Sequence, residues 1–256
     1  MSVRRNWTRD ELILAFNLYC KTPFGRIHTH NPDIIDLASI LGRTPSAVSF
    51  KLVNFARLDP ALRRRGVHGA SHGSKLDEEI WREFHSNWEE LAFQSESLLA
   101  KKKRHDLALD ALIDQDDHLA EGIEKERIVR VRVNQKFFRM MVFASYRNRC
   151  CITGLNVPEL LNASHIVPWA LDKENRLNPR NGLVLNTLHD RAFDKGLITI
   201  GTDYRVKTSS RITKLLKNEA VKYLLLKYDG VAIRRPDRFL PDPKFISYHN
   251  REVFLG

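Results

Sequence analysis

At 256 residues, with 43% hydrophobic and 9% aromatic side chains, the chain is long enough for one large or two ordinary folded domains, which argues against a disordered protein. Its formal net charge is +11, from 42 Lys and Arg against 31 Asp and Glu. This excess favours a polyanionic partner, because Lys and Arg displace counterions from nucleic-acid phosphates. The alternative is a solvated basic surface without a specific partner.

The cysteines and the apolar segments predict where the protein resides. Cys20 is distant from the adjacent pair Cys150 and Cys151, a spacing that resembles no secreted disulfide scaffold and no Cys-x-x-Cys zinc knuckle. The N-terminus has no apolar core behind its basic start, and no window approaches about 18 uninterrupted apolar residues. We therefore expect a soluble cytoplasmic protein without a membrane segment.

The beginning of the chain predicts three helices from their start signals. Thr8 has capping-box spacing to Glu11, and Asn31 and Thr44 are cap residues that each precede a proline. The second apolar run ends at Gly42, two residues before the third helix starts. Two helices joined so closely have the outline of a helix-turn-helix.

In that arrangement the turn and the third helix would contact DNA. The candidate DNA-facing residues are Arg43, Ser46, Ser49, Lys51, Asn54 and Arg57. An ordinary three-helix packing unit is the alternative, because Phe50 and Val53 fall roughly opposite the apolar face of the third helix.

Charge blocks of opposite sign mark the predicted domain boundary. Residues 101–104 are all basic and residues 114–117 are largely acidic, with little apolar content between them. We therefore predict a helical domain over residues 1–97, a connector over 98–127 and a second domain over 128–256.

Several runs predict strands in the second domain. Residues 128–133 alternate apolar and basic side chains, and residues 151–153 and 162–167 are short β-prone runs separated by Gly and Pro. A loop over residues 168–182 leads into another apolar run and a helix that begins near Thr187. Together these elements predict a β-β-loop-α unit and an α+β fold class for the whole chain.

Reactive side chains concentrate on this unit. His165 lies on the strand, Asn181 lies in the connecting loop, and Asp190 and Asp194 are four residues apart on one face of the helix. A neutral imidazole can take a proton from water at cellular pH, and carboxylate oxygens favour Mg²⁺ or Mn²⁺. This set is typical of metal-assisted phosphodiester hydrolysis.

The segments SHIVPW, NPRNGL and LHDRAFDKGLI resemble the HNH endonuclease motif of the ββα-metal (His-Me finger) superfamily. The resemblance covers about residues 128–256, and residues 150–186 are very similar to HNH domains of many bacterial restriction endonucleases. It implies that His165 activates water, that Asn181 braces the metal-site loop, and that Asp190, with Asp194 one turn later, binds the metal. His189, next to Asp190, could instead be the final His of the motif. By register we prefer Asp190 as the metal ligand and assign His189 a structural or phosphate-contacting role.

One position departs from the family pattern. Many HNH enzymes have an Asp or His metal ligand directly before the base, where this chain has Ser164. This substitution predicts a single weakly held metal whose shell comes largely from water and phosphate. Three arginines close to the site in sequence are candidates for contact with the DNA backbone: Arg149, Arg180 and Arg191.

The sequence thus predicts a divalent-metal-dependent DNA endonuclease with a helix-turn-helix-like recognition domain. A restriction enzyme, with or without dependence on base modification, and a phage-defence enzyme both fit the resemblance. We expect double-stranded DNA as the partner. A monomer that nicks one strand and a homodimer that cuts both strands are both compatible with the sequence. The alternative is a DNA-binding regulator whose HNH fold does not cut.

Overall fold

The computed structural model describes residues 5–66, 73–103, 123–215 and 217–256. The chain divides into two compact units between Met141 and Val142. Helices make up the first unit, whereas the second combines helices with two antiparallel strand pairs. The predicted α+β class is therefore confirmed.

The described part of the first unit is built mainly from α-helices. They are α1 Arg9–Lys21, α2 Pro32–Leu41, α3 Pro45–Leu58, α4 Pro60–Arg64, α5 Lys75–Phe84 and α6 Trp88–Lys103, followed by α7 Ile123–Ser145, which runs past the division between the units.

The predicted helix starts are confirmed at the level of individual hydrogen bonds. Thr8 and Glu11 form a reciprocal capping box on α1. Asn31 accepts from the Asp33 amide at the start of α2, and Thr44 accepts from the Ala47 amide at the start of α3. Helix α2 ends at Gly42, whose φ of 61° lies in the left-handed region. The starts of the two helices and the short turn are thus as predicted, whereas a helix-turn-helix arrangement and contact with DNA stay predictions.

An aromatic cluster forms the centre of the first unit. The Phe16 ring lies 4.9 Å from that of Phe55 and 5.3 Å from that of Trp81, measured between centroids. These side chains join α1, α3 and α5 into one apolar core. Lys51 and Asp77 are buried beside it as an ion pair, with Nζ 2.9 Å from one carboxylate oxygen.

The predicted strand at residues 128–133 is wrong, because this segment is part of helix α7. Val129 and Val133 are four residues apart and both are buried, so one helical face carries them inward. The alternation of valines with Arg130 and Arg132 suggested a strand, but a helix can also place these arginines away from the buried valines. Of the predicted connector over 98–127, residues 104–122 lie outside the described residues.

The second unit contains the strands and short helices. They are β1 Leu161–His165, β2 Gly182–Asn186, α8 Thr187–Asp194, β3 Ile198–Ile200, β4 Val206–Thr208, α9 Ser210–Thr213, α10 Glu219–Leu224 and α11 Pro243–Glu252. Strand β1 pairs antiparallel with β2, and β3 pairs antiparallel with β4. Residues 151–153, predicted as a strand, form a turn instead.

All three cysteines are free and buried, in agreement with the expectation that they form no disulfide framework. Cys150 and Cys151 pack inside the second unit, next to the turn that replaces the predicted strand. Among the described helices, none combines the length and the apolar character that a membrane span requires.

Candidate active site

Strands β1 and β2 and helix α8 form the unit that carries the predicted catalytic residues. In the antiparallel register His165 lies opposite Gly182, and Asn162 lies opposite Leu185. The chain turns directly from β2 into α8 at Asn186, whose side chain accepts from the His189 amide as the helix cap. This direct turn holds the first helical turn, with Asp190, beside strand β1.

Asp190 is fixed by two side chains from strand β1. The amide of Asn162 donates to one carboxylate oxygen of Asp190 at 2.6 Å, and the Ser164 hydroxyl donates to the other. Asn162 and Ser164 are two residues apart on one strand, so both side chains point to the same face. Ser164 is also buried. The position at which the family pattern departs is therefore joined directly to the predicted metal ligand.

Asp194 lies one helical turn beyond Asp190 and is exposed. Partial desolvation raises the pKa of Asp194, and the negative charge of Asp190 adds to this rise. The two carboxylates therefore repel each other, and a cation between them would relieve that repulsion.

The donor set fits a hard divalent cation held by few protein ligands. In the described part of the chain no three His, Cys, Asp or Glu side chains are arranged to hold a metal ion. The nearby donors are instead the oxygens of Asp190, Asp194 and Ser164. Oxygen donors of this kind suit Mg²⁺ or Mn²⁺ with water completing the shell, and they do not suit a structural zinc site.

One ring nitrogen of His165 bonds the neighbouring loop. Its Nε2 lies 2.9 Å from the backbone carbonyl oxygen of Arg176. A carbonyl oxygen only accepts, so Nε2 carries the proton and Nδ1 carries the lone pair in the neutral ring. Burial lowers the pKa of His165, although the bond to the carbonyl opposes this effect. The neutral form, which can act as a base, therefore persists to lower pH than in an ordinary histidine.

Trp169 and Arg176 close the loop that supplies this carbonyl. The Arg176 guanidinium lies 5.2 Å from the Trp169 ring centroid and donates to the Trp169 carbonyl oxygen at 2.9 Å. The Trp169 ring in turn meets the His165 ring edge to face at 5.4 Å. Trp169 and Arg176 thus confine the imidazole from outside the strand.

Asn181 braces the backbone that follows His165. Its buried side chain accepts from the Val167 amide at 2.8 Å and donates to the Val167 carbonyl at 3.1 Å. Its own carbonyl accepts from the Ile166 amide. The Asn181 side chain therefore bonds both the N–H and the carbonyl of Val167, two residues after the base. A bracing role requires this geometry.

His189 points into the core. The side chain is 2% exposed, and its ring lies 5.2 Å from that of Tyr228. Neither ring nitrogen of His189 has a hydrogen-bond partner among the described residues. Burial raises the pKa of the neighbouring Cys150 thiol, but the adjacent His189 and hydrogen bonds from Thr153 and Ile152 outweigh burial and lower this pKa to about 7. Of the two roles considered for His189, this position favours the structural one.

The residues predicted to contact DNA differ in how freely they could do so. Arg149 and Arg191 are exposed, as is Ser46, whereas Ser49 is half-buried. Two arginines are held by carboxylates. Arg180 lies 3.3 Å from Asp242, and Arg43 is bound to Glu11 with its side chain only 8% exposed.

Three participants in this site were not anticipated from the sequence. Asn162 could have been found, because it precedes Ser164 by two residues and a strand places both on one face. Trp169 and Arg176 gave no such signal, since Arg176 acts on His165 through its backbone carbonyl, which every residue type possesses.

The comparison with known families agrees with this geometry. Residues 150–201 match the family model described as HNH endonuclease, and this range contains every predicted catalytic and metal-binding residue. The match confirms the resemblance to HNH endonucleases for this segment. No curated protein matches the chain.

Proposed function

We propose that the protein is a DNA endonuclease that hydrolyses phosphodiester bonds with His165 as the general base. The observation that carries the proposal is the hydrogen bond from His165 Nε2 to the Arg176 carbonyl, within the segment that matches HNH endonucleases. This bond leaves the basic lone pair on Nδ1, where a proton from water can be accepted.

Each neighbouring group supports that proton transfer in a defined way. The lowered pKa of His165 keeps the ring neutral near pH 7. Asn181 fixes the backbone that follows the base, and the pair of Trp169 and Arg176 restricts the ring. The imidazolium formed after proton transfer can return its proton to solvent.

A divalent cation, Mg²⁺ or Mn²⁺, is the cofactor that the oxygen donors fit. Asp190 would hold it, together with Asp194 and the Ser164 hydroxyl. When bound, such a cation stabilises negative charge on the phosphate and on the leaving oxygen. Asn162 orients the Asp190 carboxylate for this role.

The biological setting is proposed from the resemblance. Restriction, including restriction that depends on base modification, or another form of phage defence in the cytoplasm fits an HNH domain joined to a separate helical unit. Residues 1–97 of that unit would select the DNA, and products would carry 5′-phosphate and 3′-hydroxyl ends. A homodimer could cut both strands of double-stranded DNA, whereas a monomer would nick it.

Cleavage of supercoiled plasmid tests the proposal. The parent protein should convert it to nicked or linear DNA in Mg²⁺ or Mn²⁺ and should be inactive in EDTA. His165→Ala should lose about 100-fold or more of the rate, the contribution typical of a general base. His30→Ala, which removes an exposed histidine of the first unit, is the matched control and should cut at the parental rate. Parental cutting by His165→Ala would refute the mechanism.

A regulator that binds DNA without cutting is the second candidate. It is favoured by one observation, that both oxygens of Asp190 already accept hydrogen bonds from the protein. Sequence-specific binding in EDTA, with no nicking across Mg²⁺, Mn²⁺, Ca²⁺ and Zn²⁺, would support it over the enzyme.

A further inference from the structure

A large cleft opens in the first unit, outside the HNH domain. Its walls come from the segment before α1, from one face of α3 and from the start of α5. We call this feature the N-terminal cleft; its lining includes Arg5, Trp7, Arg43, Phe50, Lys51 and Asn54. Its volume is about 1060 Å³, at the upper end of the range for small-ligand pockets.

The N-terminal cleft is positively charged. Arg5, Arg43 and Lys51 line it, and no carboxylate is among the described residues that do so. Behind the wall, Arg5 and Arg43 share Glu11, and Lys51 pairs with Asp77. Three cations against two buried carboxylates leave one positive charge in excess.

The positive end of helix α3 adds to this charge. The turn before α3 and the first turn of this helix line the cleft. The helix dipole there favours an anionic group, although Pro45 has no N–H and the Ala47 N–H donates to the Thr44 side chain. Arg5 is the most accessible cation, with its side chain 51% exposed.

Flat aromatic surfaces stand beside these cations. Phe50 is 58% exposed, although it is a large apolar side chain on a helix whose other aromatic, Phe55, is fully buried. The Trp7 ring is held in place by Arg43, whose guanidinium carbon lies 4.1 Å from the ring centroid. Aromatic faces next to cations are the combination on which unpaired bases stack.

Asn54 supplies a polar group without a partner. It lines the cleft, and its amide oxygen is buried and accepts no hydrogen bond. A buried acceptor left unsatisfied destabilises the protein, so a ligand with N–H donors would be favoured there. Nucleobase edges carry such donors.

The burial of two α3 residues argues against a duplex as the ligand of this cleft. Lys51 is 6% exposed and Asn54 is 4% exposed, and both side chains contact Asp77. They therefore do not project outward into a major groove as the side chains of a recognition helix would, and only a base that enters the cleft could meet them. Base faces are hidden by stacking inside a duplex, whereas unpaired nucleotides present them.

We propose that the N-terminal cleft binds unpaired nucleotides of single-stranded nucleic acid, with a base against Phe50 and the adjoining phosphate against Arg5 and the start of α3. The inference rests on the proposed function only in taking nucleic acid as the ligand. It assigns to the first unit a structure-specific role, recognition of unpaired strand, in place of the reading of duplex sequence.

Binding of a fluorescent oligonucleotide by the full chain in EDTA tests this assignment. A mixed-sequence single strand and the same sequence as a duplex are compared by anisotropy. Phe50→Ala and Arg5→Ala should each weaken single-strand binding about 10-fold or more and change duplex binding less than about 2-fold. The matched controls are Ile35→Ala and Arg26→Ala, an exposed apolar side chain and an exposed cation away from the cleft, and both should bind like the parent.

Two outcomes would overturn the assignment. In the first, Phe50→Ala, verified as folded by its melting temperature, binds the single strand like the parent. In the second, both variants lose equal affinity for single strand and duplex, which would assign the cleft to duplex recognition. Plasmid cleavage in Mg²⁺ separates the proposals: a parent that never cuts but shows the predicted single-strand binding refutes only the endonuclease.

Discussion

Asp190 is the residue on which the proposed metal site depends, and strand β1 controls its carboxylate. Asn162 and Ser164 each donate to one of its oxygens. Partners of this kind orient a metal ligand and set its basicity, so their loss is felt in metal affinity. Ser164 thus keeps a connection to the proposed metal ligand although it is neither Asp nor His.

Replacing Asn162 tests this connection. In Asn162→Ala one oxygen of Asp190 loses its donor, so we expect the Mg²⁺ concentration for half-maximal plasmid cleavage to rise about 10-fold or more. The maximal rate at saturating Mg²⁺ should fall less. Asn156→Ala, at an exposed position in the loop before β1, should leave both quantities unchanged. An unaltered Mg²⁺ requirement in Asn162→Ala would remove Asn162 from the site.

At the scale of elements, the turn after α8 holds the HNH unit to the C-terminal segment. Gly196 has a φ of 64°, and its carbonyl accepts from the Leu255 amide. A Cβ at this position would lie 2.0 Å from the Val253 carbonyl oxygen, which is backbone and cannot move aside like a side chain. Only glycine therefore permits the chain to turn from α8 into β3 against the end of α11.

Gly196→Ala should destabilise the second unit by about 3 kcal/mol or more, since a steric clash adds to the strain of positive φ. Gly230→Ala separates the two causes. Its φ is 72°, but nothing lies within 4 Å of an added Cβ, so the loss should be only about 1–2 kcal/mol. Urea unfolding followed by circular dichroism measures both. Equal losses in the two variants would show that the contact with Val253 has no energetic weight.

Some helices and strands could be predicted from the sequence and others could not. Caps at Thr8, Asn31 and Thr44 located helices because a cap is a local hydrogen bond that neighbouring residues determine. Residues 128–133 were wrongly predicted as a strand, because whether alternating arginines face water depends on packing against distant residues.

The candidate site followed a similar division. The sequence pattern and the resemblance to HNH endonucleases indicated His165, Asn181 and Asp190, and in the structure Asn181 bonds the backbone of Val167, two residues after His165. The carbonyl that fixes the His165 tautomer belongs to residue 176, eleven residues away, and only the closed loop brings it there. Contacts made by the backbone leave no signature in side-chain patterns.

For the whole molecule, the net charge of +11 sets how binding should respond to salt. Each phosphate that Lys or Arg neutralises releases counterions, so affinity falls steeply as salt rises. We expect duplex binding in EDTA to weaken about a thousandfold between about 50 and 200 mM salt, as for a protein that contacts about six phosphates. A change below about 10-fold would mean that the positive charge is not used on DNA.

The central claim, that neutral His165 is the base, is tested most directly by the pH dependence of single-turnover cleavage. A defined duplex is cut at saturating Mg²⁺ between about pH 4 and pH 8 by the parent and by His165→Ala. Because burial lowers the pKa of His165, the parental rate should rise with pH and level off below the ordinary histidine value of about 6.5. His165→Ala should be about 100-fold slower or more and should lack this rise. A variant that keeps the parental rate, or a slower one that keeps the same acid limb, would contradict the account.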